Sequence, residues 1–134
     1  MMAESIFGIY ETAFRVRSAR AEVLANNLAN ADTPNFKARD IDFRAAIKDA
    51  HGGLGSSERF EMSRTNAKHI KDESFSSTSE FLKYRLPTQP ALDGNTVETH
   101  IEKAQFMENG IQQTATLEFL NSKIKGIRGA LKGE

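Results

Sequence analysis

LANNLANADTPNFKARDIDF, Leu24 to Phe43, is the stretch where a helical pattern gives way to an extended one. Asn26, Asn27 and Asn30 close an apolar-periodic run, and Pro34 follows four residues after Asn30. Proline lacks an N–H and drives the residue before it out of the helical region, so the helix is predicted to end at or before Thr33. Asn35 comes next. After glycine, asparagine best tolerates a left-handed backbone. Phe36, Ile41 and Phe43 then interleave with charged residues, the pattern of an extended segment leaving a turn.

Upstream of this stretch, Glu4 to Ala31 reads as one helix. Phe7, Tyr10, Phe14, Ala21, Leu24 and Leu28 fall on a 3–4 spacing with Arg17 in the same stripe, and Ile6, Ala13 and Val16 widen the apolar face. At about 1.5 Å per residue this helix is roughly 40 Å long. Ala19, Ala21, Ala25 and Ala29 leave room for a second helix to approach. Downstream, Asp42 to Ala50 reads as a short helix with Asp42 as its N-cap and Ala45, Ala46 and Ile47 on its apolar side. His51-Gly-Gly-Leu-Gly-Ser-Ser then breaks the chain. These glycines neither follow a strand nor precede a helix with a lysine, so they do not make a phosphate loop. The polar run from Lys71 to Glu80 reads as a flexible surface loop, and Phe81, Leu82 and Tyr84 as an edge strand.

YRLPTQPALDGNTVE, Tyr84 to Glu98, introduces the last element. Pro87 and Pro90 keep the backbone extended, and Asp93-Gly94 is a turn pair. Asn95 is predicted to cap a new helix, with Glu98 reaching back to the cap. That helix runs from about Thr96 to Leu131. Leu117, Leu120, Ile124, Ile127 and Leu131 form an a/d seam that Phe106 extends backwards, and Val97, Ile101, Ala104, Ile111 and Ala115 form a second stripe. Two stripes imply more than one neighbour. Lys123, Lys125, Arg128 and Lys132 crowd the last turns, where cations suit the helix dipole, and Gly126, Gly129 and Gly133 weaken the end.

The totals narrow the function. A chain of 134 residues is enough for one domain, and its net charge of zero argues against a partner held by phosphate contacts, so no nucleic acid is expected. With 39% hydrophobic residues and no tryptophan, a thin core or helical seam is easier to build than a thick one. The absence of cysteine excludes disulfides and thiolate metal sites. His51, His69 and His100 fall in three different elements without metal spacing, and Ser56, Ser57 and Ser63 lack a nucleophile-elbow context. Asp40 and Asp42 read as solvated surface rather than an acid–base pair. No catalytic residue, cofactor, metal or small-molecule substrate is expected. No secretory signal or membrane-spanning run is visible, which taken alone points to the cytoplasm.

Two motifs carry a resemblance. Asn26, Asn27, Leu28 and Asn30, followed by Thr33, Pro34, Asn35, Phe36 and Lys37, resemble the signature of the bacterial flagellar rod and hook axial protein family. The continuation ARDIDF narrows the likeness to proximal rod proteins. Asn35 stands where the family pattern has glycine. The second motif is Arg85, Pro87, Gln89 and Pro90 with Asp93, Gly94, Asn95, Thr96 and Val97, similar to the segment before the C-terminal helix of such proteins. The ending LNSKIKGIRGAL also resembles the family.

The resemblance implies a structural subunit of the basal-body rod, a shaft that transmits torque. Its partners would be copies of itself, other rod proteins, the adapter at the rotor ring and the flagellar type III export apparatus, which it would pass without a cleaved signal to reach the periplasmic rod. Together with the periodicities it predicts a mainly α fold, with long N- and C-terminal helices forming an antiparallel coiled-coil hairpin and a small irregular or β-containing middle. The parts are residues 1–33, 34–93 and 94–134, one composite domain built from both ends. The expected assembly seam is Phe7, Tyr10, Phe14, Leu24 and Leu28 in the first helix and Phe106, Leu117, Leu120, Ile124, Ile127 and Leu131 in the last. Another rod protein of the family, a cytoplasmic helical-hairpin adaptor or chaperone, and a small enzyme remain the alternatives.

Overall fold

The computed structural model describes residues 7–50 and 81–133. The predicted helix start at Glu4, the glycine run with His51, His69, the three serines and the Ser-rich loop lie outside the described residues. The elements in order are α1 (Ile9–Ala29), β1 (Arg39–Ile41), α2 (Phe43–Ala50), β2 (Leu82–Tyr84) and α3 (Thr99–Lys132). The protein is mainly helical, with two long helices and one small sheet.

Among the described residues α1 begins at Ile9, directly after Gly8, whose φ of 56° is a conformation no helix continues. It ends at Ala29, where Asn30 N–H donates to the carbonyls of Asn26 and Asn27. Asp42 caps α2 as expected, its Oδ1 accepting from Ala45 N at 3.0 Å. β1 and β2 pair antiparallel in the register Arg39 with Tyr84, Asp40 with Lys83 and Ile41 with Leu82. α3 runs unbroken through Gly126 and Gly129 and stops at Gly133, which is left-handed at φ 72°.

The apolar core is small. Val16 of α1, Ile41 of β1 and Ala46 of α2 are buried together, and Ala19, Val23, Phe43, Ile47, Phe81 and Leu82 pack around them. This cluster lies on one side of α1. A second side of α1 meets α3, and the partners rise along α1 as they fall along α3. Tyr10 stacks near Phe119 with ring centroids 5.8 Å apart. Arg17 hydrogen-bonds Gln112, and its backbone carbonyl accepts from Asn109 Nδ2 at 2.9 Å. Arg20 donates to Gln105 at 2.8 Å, and Asn27 to Glu102 at 3.1 Å. Arg17 also lies 4.1 Å over the Phe43 ring, joining the two sides of α1.

The face that α3 turns toward α1 is therefore polar. Glu102, Asn109 and Thr116 are its buried residues, spaced by seven, with Gln105 and Gln112 between them and Phe119 just beyond. The apolar seam read from the sequence begins at Phe106, one position further on. One position is about 100° around a helix, so that seam looks sideways from the contact with α1. Phe106 is 40% exposed, Leu117 41% and Leu131 84%. Phe119 stands opposite Tyr10, near the start of α1, so the last turns of α3 run on past that start.

Among the described residues Leu24 is the one large apolar side chain fully withdrawn from solvent. Its truncation, Leu24→Ala, is expected to cost about 3 kcal/mol, measured by urea denaturation of the purified chain. A loss below about 1 kcal/mol would mean that the site collapses around the smaller residue.

Candidate functional site

The two sequence motifs, some sixty positions apart, close on one another. Asn35 takes the left-handed conformation expected of it, with φ 62°. Its N–H donates to the carbonyl of Asp93 at 2.8 Å. Gly94, also left-handed at φ 73°, packs so tightly that a Cβ there would stand 2.9 Å from Asn35 Oδ1. Lys37 Nζ donates to the Gly94 carbonyl at 2.6 Å. Thr96 N–H donates to the Phe36 carbonyl at 3.0 Å, and its hydroxyl accepts from Ala38 N at 2.8 Å. Two turns thus meet backbone to backbone, which requires a small residue on at least one side.

Asn95 holds the end of α1. Its Nδ2 donates to the carbonyls of Asn30, Ala31 and Thr33 at 3.0, 2.7 and 2.9 Å. These carbonyls follow the last helical turn, where backbone acceptors need partners. Its Oδ1 accepts from Val97 N–H at 2.8 Å. Asn95 is therefore not the N-cap of α3, and Glu98 does not reach back to it. α3 starts at Thr99, and the Glu98 carboxylate instead binds Thr88 through its N–H and hydroxyl. The capping-box pattern fails because both of its side chains are engaged elsewhere in the tertiary structure. Asn26 and Asn30 stay local, with Asn30 Nδ2 on the Asn26 carbonyl at 2.8 Å and Thr33 Oγ1 on Asn30 Oδ1 at 3.2 Å. Leu28 is half-buried, and Pro34, Gln89 and Pro90 are exposed.

Asn27, the buried member of the first motif, leads to an ionic node. Its Nδ2 donates to the Arg39 carbonyl at 2.7 Å and to Glu102 Oε2, and its Oδ1 accepts from Arg39 N at 3.1 Å. Glu102 is 1% exposed. Its other oxygen accepts from Arg85, a residue of the second motif. Arg85 also reaches Asp40 Oδ2 at 2.5 Å, and Arg20 grips Asp40 through both oxygens at 2.8 and 2.9 Å. Two guanidiniums and two carboxylates, one pair of each sign, thus tie α1, β1, the end of β2 and α3 together. Burial by itself would raise the Asp40 carboxyl. The hydrogen bonds and charge of Arg20, with Arg85 and the Ile41 N–H, outweigh it and hold the group below its ordinary value. Asp42 is held low mainly by Lys83, then by the Ala45 N–H.

Asp40 corrects its sequence reading, since it is half-buried and ion-paired rather than solvated. Arg20, Glu102, Gln105, Asn109 and Gln112 were not singled out in the sequence. Their 3–4 spacing was visible, but a search for apolar periodicity passes over polar residues. His100 is exposed on α3. Among the described residues no group of side chains could hold a metal, and no helix is long and apolar enough to cross a membrane.

Of the expected seam residues, Leu24 alone is buried. Phe7, Tyr10, Phe14, Leu28, Leu120 and Ile127 are half-buried, and Phe106, Leu117, Ile124 and Leu131 lie on the exposed side.

Known proteins share this chain's pattern along almost its whole length. The family described as "Flagella basal body rod protein" matches residues 11–37, which include the first motif. The flagellar basal body rod protein FlgB of Aeromonas hydrophila is 46% identical over 132 residues, 98% of this chain and 96% of the relative. Its counterpart in Escherichia coli K12 is 39% identical, covering 91% and 89% of the two chains. That of Cereibacter sphaeroides ATCC 17029 is 40% identical, covering 95% and 94%.

Removing the Asp40 charge, Asp40→Asn, is expected to cost about 2 kcal/mol at neutral pH. Because the folded carboxyl titrates below its unfolded value of about 3.9, this stability is present above that value and lost as pH falls through the folded one. Denaturation curves of wild type and variant should therefore converge below about pH 4; a constant gap would show that charge is not the cause. In the clasp, Gly94→Ala is expected to cost about 1–3 kcal/mol, part of it recovered by adding Asn35→Gly, which removes the side chain the new methyl strikes. Strictly additive losses in that double-mutant cycle would mean the two sites do not touch in solution.

Proposed function

The chain belongs to the family of flagellar basal-body rod proteins, and from that premise we propose that it builds the proximal, periplasmic part of the rod and passes torque outward from the rotor ring. It is a structural protein of the basal body and not an enzyme, which sets aside the adaptor and small-enzyme readings. In the assembled rod, α1 and α3 act as an antiparallel coiled-coil hairpin. The expected division into residues 1–33, 34–93 and 94–134 describes one composite domain.

The observation that carries this reading is the clasp. Asn30, Asn35, Phe36 and Lys37 of the first motif and Asp93, Gly94, Asn95 and Thr96 of the second bond across to one another, holding the exit of α1 against the entry of α3. A shaft subunit under torque needs such a joint, because its two helices must not slide or splay. The motif residues are accordingly proposed to set the angle of the hairpin, and the apolar seam from Phe106 to Leu131 to meet other subunits. An exposed stripe of this kind on a structural subunit is an interface by its chemistry. Copies of the chain, other rod proteins and the rotor-ring adapter are the proposed neighbours. Delivery is by the flagellar type III export apparatus, without a cleaved signal.

Electron cryotomography of an in-frame deletion strain should show the rotor ring without rod, hook or filament; complete flagella would overturn the reading. Returning the gene with Leu120→Asp, which puts a charge into the seam, should leave the protein exported into the medium and the cells non-motile. Motile cells with normal rods would remove the seam from the assembly interface.

A further inference from the structure

The far end of α3 carries a charge pattern that neither its fold nor the rod reading explains. Between Phe119 and Gly133 there are four cations, Lys123, Lys125, Arg128 and Lys132, and no carboxylate. The helix dipole acts within the last turn, which holds Lys132 alone. Lys123, Lys125 and Arg128 make no ion pair among the described residues. This is also the part of α3 that runs beyond the start of α1.

Resting on the rod reading, we propose that this end of α3 pairs with an acid-flanked amphipathic helix of a different subunit, and that its charges disfavour pairing with its own copy. Leu117, Ile124 and Leu131 occupy one heptad position and Leu120 and Ile127 the other. A strict two-position stripe is the narrow seam of a helix pair, whereas a membrane-binding face is broader. The positions flanking this seam are Asn121, Lys123, Arg128 and Ala130, all exposed. Flanking charges choose the partner in such pairs. If two copies lay parallel, Lys123 of each would face Arg128 of the other. If they lay antiparallel, Lys123 would face Lys123 in one register and Arg128 would face Arg128 in another. Each of these registers sets like charges together, and carboxylates on the partner's flanks remove the conflict.

The full-length double variant Lys123→Glu with Arg128→Glu supplies the probe, because it presents the same apolar seam between acidic flanks. Sedimentation velocity at low salt would compare wild type alone, variant alone and an equimolar mixture. The mixture is expected to associate about tenfold more tightly than either protein alone, and the gain should shrink in about 0.5 M salt. Lys125→Glu with Lys132→Glu makes the same change of charge off the flanks, and mixing it with wild type should give no such gain. Circular dichroism first establishes that both variants keep wild-type helicity. No gain in the first mixture, or an equal gain in the second, would overturn the proposal. So would wild type binding vesicles of phosphatidylcholine and phosphatidylglycerol while the mixture shows no gain, which would make this a membrane face. The assay contains no flagellum, so it can fail while a deletion strain still lacks its rod, and the reverse.

Discussion

Everything else in the fold is arranged around the carboxylate of Glu102. A charge so fully withdrawn from water is tolerable only when it is paired and its oxygens are hydrogen-bonded. Arg85 supplies the opposite charge and Asn27 the remaining hydrogen bond. Arg85 in turn needs Asp40, and Asp40 needs Arg20, so one buried acid of α3 recruits residues from α1, β1 and the end of β2. The node is neutral as a whole, which is why four ionised groups can gather there without repelling the chain around them. It sits where α1 ends, β1 passes and α3 begins, beside the clasp of the two motifs.

The contact between α1 and α3 has the same character. A helix pair sealed by leucine alone can slip by a turn at little cost, since one apolar residue replaces another. Here Asn27, Glu102, Asn109 and Thr116 are buried, and a slip would part Asn27 from Glu102 and Asn109 from the Arg17 carbonyl. Two atoms on this face, Arg17 Nε and Asn109 Oδ1, already lack one among the described residues. The contact therefore fixes register more than it adds stability. Leu24 and the small cluster around Val16, Ile41 and Ala46 provide the apolar burial.

Elements that follow from local chemistry were legible in the sequence. Pro34 and Asn35 declare the turn, Asp42 declares the start of α2, and Leu82 with Tyr84 declare a strand. The length of α3 follows from its unbroken periodicity. What was not legible depends on residues distant in the chain. Asn95 and Glu98 make a correct capping pattern, yet each finds a better partner across the fold than in its own helix. Asp40 looks like surface because nothing nearby in sequence announces Arg20 and Arg85. The face of α3 against α1 was not read for another reason. Periodicity was sought among apolar residues, and the strongest apolar stripe is the one the chain does not use internally.

The double grip of Asn27 on Arg39 also closes the sheet. In β1 the groups of Ala38 and Asp42 face β2, and Arg39 and Ile41 face outward. The Asn27 amide gives Arg39 both a donor and an acceptor, as a neighbouring strand would, and the Asp40 carboxylate takes the Ile41 N–H at 2.7 Å. An open strand edge is a template for pairing with any other chain. Side chains blunt this one, which steers chains brought close together away from edge-to-edge pairing.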